Sequence, residues 1–428
     1  MPYATDVKFF ASDMPGTPAV FADAGGYVGW LDAVLVNGYG AAVLSQIVVT
    51  DGVAVATATL GHSLRKWMVA LHADAGDAGL NGEHRVIAAS GATYTFEVTG
   101  VPNGTYAGGT TKVAPLGFEI SHTGTNRRIY RSKDPRRNAV SLYVDDTNTA
   151  VGWDIGTNKA LTQAKMVCDV AGIDNYVTLD TTWWPKSAAV SGTLARPWML
   201  AGDALGFYTA VDISGTGFTV ASNHFMQLKT LAAGDQFATM LEGATPDTQA
   251  AETTLAGLGA AGACMNAMTM GSRRIARGLS QSGAAIDLRY YGIGVCTQNS
   301  YAPYGWSVSG ARPASVRATV YQCAGLSFAN PADAGMVLGQ NIVAAHSPSG
   351  AQSGLDYVGR AVMPGLLSVP SAVTWTMVPA ITEAPAGMAG SNLLGLPACA
   401  GGQYQGWGPT PSAEFVGGYY VDITKTWR

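Results

Sequence analysis

"LNGEHRVIAASGATYTFEVTG", residues Leu80 to Gly100, decides how this chain is read. Asn81-Gly82 tolerates positive φ at both turn positions, so it favours a tight reversal between two strands. Beyond it Tyr94, Phe96 and Val98 point one way and Thr93, Thr95, Glu97 and Thr99 the other, the two-residue period of a strand with one buried and one wet face. Upstream, "IVVTDGVAVATATLGHSL" alternates in the same manner from Ile47 to Leu60, with Asp51-Gly52 offering a second turn. Residues 45–115 are therefore expected to form a small antiparallel β module.

Outward from that module, residues 1–44 carry a strand-like "VKFF" and then "GGYVGWLDAVLVNGYG". There Trp30, Leu31, Val34 and Leu35 recur at helical spacing, and Asn37-Gly38 supplies a C-terminal stop. Residues 116–245 hold further strand-like runs, among them "RNAVSLYVDD", "NYVTLDTTWW", "RPWMLAGDALGFYTAVDI" and "GFTVASNHFMQL", separated by Gly, Asn and Asp. Residues 246–428 read as an irregular, Gly- and Pro-rich C-terminal β region. Within the stretch from Ala244 to Met270 a close-packed small-residue helix and a long surface excursion both fit the composition. No fixed-period repeat is visible, which argues against solenoids and propellers. The expected fold is mainly β: several small antiparallel sandwich or barrel-like modules with few short helices and long loops.

Composition narrows the function classes. Of 428 residues only 13% are charged, about half the usual share, and 54 are glycine. Such a chain suits a loop-rich β protein whose faces become buried against partners. A net charge of −4 gives no global attraction to nucleic acid or anionic lipid. The five cysteines, Cys168, Cys264, Cys296, Cys323 and Cys399, form no zinc-like spacing and suggest no disulfide framework. The opening residues lack a basic start with a continuous apolar core, and no run of 18 apolar residues occurs. Folding in a cytoplasm, without membrane insertion, is expected.

Motifs with chemical meaning are few. "SLYVDD" (Ser141–Asp146) resembles the paired-carboxylate turn that holds two magnesium ions in reverse transcriptases, but neither a third acid nor a basic template channel accompanies it. "GLGAAG" (Gly257–Gly262) matches a dinucleotide fingerprint in letters only, because no buried strand precedes it. The six histidines, His62, His72, His84, His122, His224 and His346, fall in no metal-binding pattern, though His72 and His84 could share a turn. No catalytic, cofactor-binding or metal-ligating residue is assigned, and the chain is not expected to be an enzyme.

Two sets of residues remain as binding candidates. "NRRIYRSKDPRRN" concentrates Arg127, Arg128, Arg131, Lys133, Arg136 and Arg137 against one acid, Asp134. Guanidinium forks could grip phosphate or an acidic protein face there. With an acidic balance overall, a solvated or subunit-facing loop paired with a neighbour's carboxylates is the preferred reading. A shorter cluster, Arg273, Arg274 and Arg277, has the same two readings. Trp183 and Trp184 in "TTWWPK", with Trp407 in "YQGWGP", could stack on sugar rings, or serve as core or interface anchors.

Several stretches taken in order resemble a family of virion structural proteins of tailed bacteriophages: "VKFFASDMPGTPAV", "LDAVLVNGYG", "GVAVATATLGHSL", "LNGEHRV", "TNRRIYRS", "YVDD", "WWPKSAA", "RPWMLAGD", "FYTAV" and "RAVMPGLL". They span most of Val7 to Leu367. The resemblance implies a tail or baseplate component that works through assembly with other virion proteins and copies of itself, made in the host cytoplasm. It supplies no catalytic residues. The Ala/Gly/Met stretch and the basic density around Arg127 depart from the family pattern. Two alternatives come from other classes: a tail protein that binds host-surface glycan through the tryptophans, and a virion-borne glycan-degrading enzyme using carboxylates such as Asp145 and Asp154.

Overall fold

The computed structural model describes residues 2–147, 160–187 and most of 189–244, followed by separate strands from 271 onward and the closing segment 417–427. Antiparallel sheets dominate, one of them rolled into a half-barrel, in agreement with the expected mainly-β class. The chain opens with β1 (Lys8–Ala11), then α1 (Gly26–Leu31) running directly into a π-helical turn (Asp32–Asn37) closed at Gly38 with φ +71°. Trp30, Leu31, Val34 and Leu35 are buried, as the spacing predicts, and Tyr27 and Val28 are buried with them.

The β module contains β2 (Tyr39–Val43), β3 (Gln46–Thr50), β4 (Val53–Thr57), β5 (Val69–Ala73), β6 (Gly82–Ser90), β7 (Thr93–Glu97), β8 (Gly104–Ala107) and β9 (Thr110–Val113). Their lateral order is β2-β9-β5-β6-β7-β4-β3-β8. Asp51-Gly52 makes the two-residue hairpin turn between β3 and β4, with φ +50° and +78° and Thr50 facing Val53. Asn81-Gly82 does not make the tight reversal expected of it. β5 ends at Ala73 and β6 starts at Gly82, so the connection is an eight-residue loop, and the Asn81 side chain is spent accepting from Ala75 N and donating to the Asp77 carbonyl. Asparagine is as useful for bonding a loop's backbone as for allowing a tight turn. The tight turn lies instead between β6 and β7, where Ser90 faces Thr93.

The largest sheet has β1 at one edge. In chain order it continues with β10 (Phe118–Gly124), β11 (Arg127–Ser132), β12 (Ser141–Asp145), β13 (Ala160–Gly172), β14 (Asn175–Ser187), β15 (Trp198–Asp203), β16 (Gly206–Asp212), β17 (Val220–Ala221) and β18 (His224–Gln227). The short β19 (Lys229–Thr230) departs to another sheet, and β20 (Thr239–Ala244) returns between β18 and β14. The lateral path is β1-β15-β16-β18-β20-β14-β13-β12-β11-β10. β21 (Gly271–Ile275) and β22 (Ile286–Asp287) extend it from β20.

A third sheet joins β19 to β23 (Cys296–Thr297), β24 (Asn341–His346), β25 (Val358–Ser368), β26 (Ile381–Glu383), β27 (Asn392–Cys399) and β28 (Gly417–Asp422). It covers one face of β16: the Tyr208 hydroxyl donates to the Pro364 carbonyl at 3.0 Å, and the Tyr208 ring lies 5.7 Å from Trp427. The opposite face turns Phe207 toward Phe118, Trp184 and Phe225. Both faces of β15 and β16 are therefore buried along their whole length.

The module is tied to this sheet by polar groups as well as packing. Lys8 of β1 donates to Glu83 of β6 at 2.7 Å. Arg85, nearly fully buried, gives its donors to the carbonyls of Ala4, Val7 and Trp67, and burial pulls its pKa down to about 10. Freed carbonyls of the π turn, Val34 and Leu35, accept from Leu116 and Gly117.

Candidate functional site

The module presents one face to solvent, and its composition is unusual. Gln46, Val48 and Thr50 of β3, Val53, Val55 and Thr57 of β4, Thr93, Thr95 and Glu97 of β7, and Thr105 of β8 form it. Register aligns Thr105, Val48, Val55 and Thr95 in one row across four strands. Glu97 is the one charged side chain among these ten. Strand alternation puts Ile47, Val49, Ala54, Ala56, Tyr94 and Phe96 on the opposite, buried face. β-Branched Val and Thr are stiff about χ1, so little side-chain entropy is lost when such a surface is covered. Exposed sheets commonly carry charges that discourage association, and this one is nearly devoid of them. Elsewhere on the module, Val43 and Leu60 are two further largely exposed aliphatic side chains.

Beneath that face lies a histidine cluster. His72 Nδ1–H donates to the Leu80 carbonyl at 3.0 Å, leaving Nε2 to accept from the Tyr94 hydroxyl at 2.6 Å. His84 donates to the same carbonyl at 3.1 Å, with its ring centre 5.1 Å from that of His72. His62 accepts from Leu64 N and donates to the Thr93 carbonyl. Burial, reinforced by His84, lowers the His72 pKa to about 4. Burial lowers the His84 pKa as well, and among the described residues no three His, Cys, Asp or Glu side chains converge as a metal site requires.

The basic run is dispersed over β11 and the loop after it, and four of its arginines meet carboxylates of this chain. Arg127 pairs with Asp174 at 2.5 Å, Arg131 with Glu119 at 2.5 Å and Arg136 with Asp134 at 2.7 Å. Arg128 and Tyr130 face the other way, both hydrogen-bonding Asp32 in the π turn. Arg137 donates to the Asn138 carbonyl, and Lys133 lies exposed beside a hollow of about 690 Å³ that also touches Glu119 and Asp134. The run thus does not form one cationic patch. β21 carries Arg273 and Arg274, while Arg277 lies outside the described residues.

Of the two readings of Trp183 and Trp184, their burial fits that of core anchors. Trp183 is 4% exposed and Trp184 is fully buried, its ring 5.8 Å from Tyr27 and 6.1 Å from Phe207, so neither offers a ring face to a sugar. They are core anchors of β14. Trp407, the Gly257–Gly262 motif and Asp154 lie outside the described residues.

In "YVDD" the two acids have separate fates. Asp145 bonds Thr147 and the Tyr143 hydroxyl near the surface. Asp146 is fully buried. Its Oδ2 accepts from the backbone N–H groups of Tyr27 and Val28 at 2.9 and 3.4 Å, while its Oδ1 accepts from Thr162 Oγ1 at 2.9 Å and from Lys186 Nζ. Lys186 also donates to the Asp23 carbonyl at 3.0 Å. Sequence reasoning missed this joint. Its one signal was that Lys186 is the lone charge between Thr181 and Val190, where a strand otherwise reads as apolar.

No protein-family model and no curated protein matches the sequence. Among the described residues no helix is long and apolar enough to cross a membrane.

Proposed function

We propose that the chain is a structural component of a tailed-bacteriophage virion, a tail, baseplate or tail-tip protein that assembles with other virion proteins and with copies of itself. The observation that carries this reading is the open Val/Thr face of the β module, with Glu97 as its single charge. Depletion of Lys and Glu is the compositional mark of the core of a protein–protein contact. A sheet of stiff β-branched side chains offers shape without a large ordering cost. The ordered resemblance from Val7 to Leu367 supplies the kind of assembly. In this reading the protein acts by geometry rather than catalysis, in the virion tail, after folding in the host cytoplasm.

The glycan-receptor alternative loses two of its three tryptophans to the core; of the two acids named for the glycan-degrading alternative, Asp145 bonds Thr147 and Tyr143, and Asp154 lies outside the described residues. The test is the protein content of purified particles produced by the genome that encodes this chain. Stoichiometric presence in tails, lost together with normal tails on deletion of the gene, is expected. Its absence from particles, or normal tails without it, overturns the proposal.

A further inference from the structure

The joint between Asp146 and Lys186 has the parts of a condensation site. Both side chains have 0% exposure. Asp146 follows the end of β12 and Lys186 sits near the end of β14, with β13 and its Thr162 between them. The two oxygens of Asp146 are held differently: Oδ2 by two backbone N–H groups, Oδ1 by the Thr162 hydroxyl and the lysine itself. Trp184 and Tyr27, both fully buried, lie close by, and their rings exclude water from this end of the sheet. Burial raises the Asp146 pKa and lowers that of Lys186, which brings the carboxylic acid and the free amine within reach of the ion pair. Among the described residues a second buried lysine, Lys8, pairs with Glu83 but lacks this setting, because the Glu83 side chain is 32% exposed.

We propose that Lys186 and Asp146 are joined by an intramolecular isopeptide bond that the folded chain forms on itself. One proton passes from the ammonium to Oδ1, giving amine and carboxylic acid. The Nζ lone pair then attacks Cγ and the C–N bond forms. Negative charge gathers on Oδ2, where the N–H groups of Tyr27 and Val28 meet it as oxyanion donors do. The Cγ–Oδ1 bond breaks, and Oδ1 departs as water with a second proton from nitrogen, still within reach of the Thr162 hydroxyl. Carboxylic acid and amine become amide and water, with no change of oxidation state and no external reagent. Fixing the two groups in contact supplies an effective molarity on the order of 10⁵–10⁸ M, and a water-poor site disfavours the reverse hydrolysis. The product is a covalent staple across β13, closing a loop between positions 40 residues apart.

The test is the intact mass of the full, denatured chain, followed by a tryptic map. The mass is expected to fall short of the sequence mass by one water. Cleavage after Lys186 should be blocked, giving a branched product of residues 138–159 joined to residues 166–229. The Asp146→Ala variant should regain the full mass and the cleavage after Lys186. If that variant does not fold, the wild-type map decides alone. A wild-type chain of unmodified mass overturns the proposal. So does a water loss mapped elsewhere, for instance to cyclisation at Asp51-Gly52. Either outcome is independent of where the protein acts.

Discussion

The β module and the centre of the large sheet are built from the same kind of strand but live in different surroundings. In β4 and β7 buried and solvent-facing residues alternate, so Ala54, Ala56, Tyr94 and Phe96 form a core while Val53, Val55, Thr95 and Glu97 meet water. In β15 and β16 every residue is buried, because the N-terminal core covers one face and the third sheet the other. The consequence is chemical. A one-sided sheet can leave its polar groups to solvent, whereas a two-sided one must satisfy most of them internally. Thr209 shows how: its N–H donates to His224 Nδ1, its hydroxyl donates to the Asn223 carbonyl, and Asn223 Nδ2 reaches the Tyr27 hydroxyl. Polar errors should therefore be severe inside the sheet and mild on the module's face.

The strongest challenge to that contrast is Lys186→Met. It leaves the Asp146 carboxyl buried with nothing in place of Lys186, and such an uncompensated buried group is expected to cost about 3–5 kcal/mol in denaturant unfolding. A loss below about 1 kcal/mol would mean that the interior tolerates polar errors as the surface does.

Next in size is acid. The folded-state pKa of His72 is depressed from 6.5 to about 4, so the unfolded chain takes up its proton first as pH falls. Stability from this residue is complete above about pH 6.5 and declines down to about pH 4, by about 3 kcal/mol in all. Unfolding free energies across that window, compared with those of His72→Gln, measure it. A variant with unchanged pH dependence would move the acid sensitivity to other groups.

Smaller effects separate the arginines. Arg128→Ala removes a half-buried partner of Asp32 and should cost about 1.5–3 kcal/mol, the range for hydrogen bonds to charged groups. Arg131→Ala, whose pair with Glu119 is exposed on both sides, should cost under about 1 kcal/mol. Equal costs would erase the distinction between the two faces of β11. Least of all, Val55→Thr on the open face should shift stability by no more than about 0.5 kcal/mol. Val55→Lys should leave folding similarly intact while reducing incorporation into particles, measured by quantifying the protein in purified virions.

How much of this was legible in the sequence follows the same contrast. One wet face imprints a period of two, so the strands around Tyr94 and Phe96 and the turn at Asp51-Gly52 could be read directly. Asn81-Gly82 was ambiguous because asparagine serves a turn by conformation or a loop by hydrogen bonding, and only the register chooses. The partners of the basic run were out of view because Asp32 lies 96 residues from Arg128 and Asp174 lies 47 from Arg127. Trp183 and Trp184 could not be assigned by type, since an aromatic platform and a core anchor use the same side chain. The Val/Thr face was half legible: alternation identified its residues, and its scarcity of charge needed the cross-strand register.

The wide turn at Asp32–Asn37 carries an implication for how the protein transmits force. Because Val34 and Leu35 spend their carbonyl groups on Leu116 and Gly117, the short path from β9 to β10 is clamped along its backbone. A load applied to the open Val/Thr face would reach the large sheet through these main-chain bonds and through Arg85, with no slack tether to absorb it. Pulled from outside, module and sheet should behave as a single stiff lever.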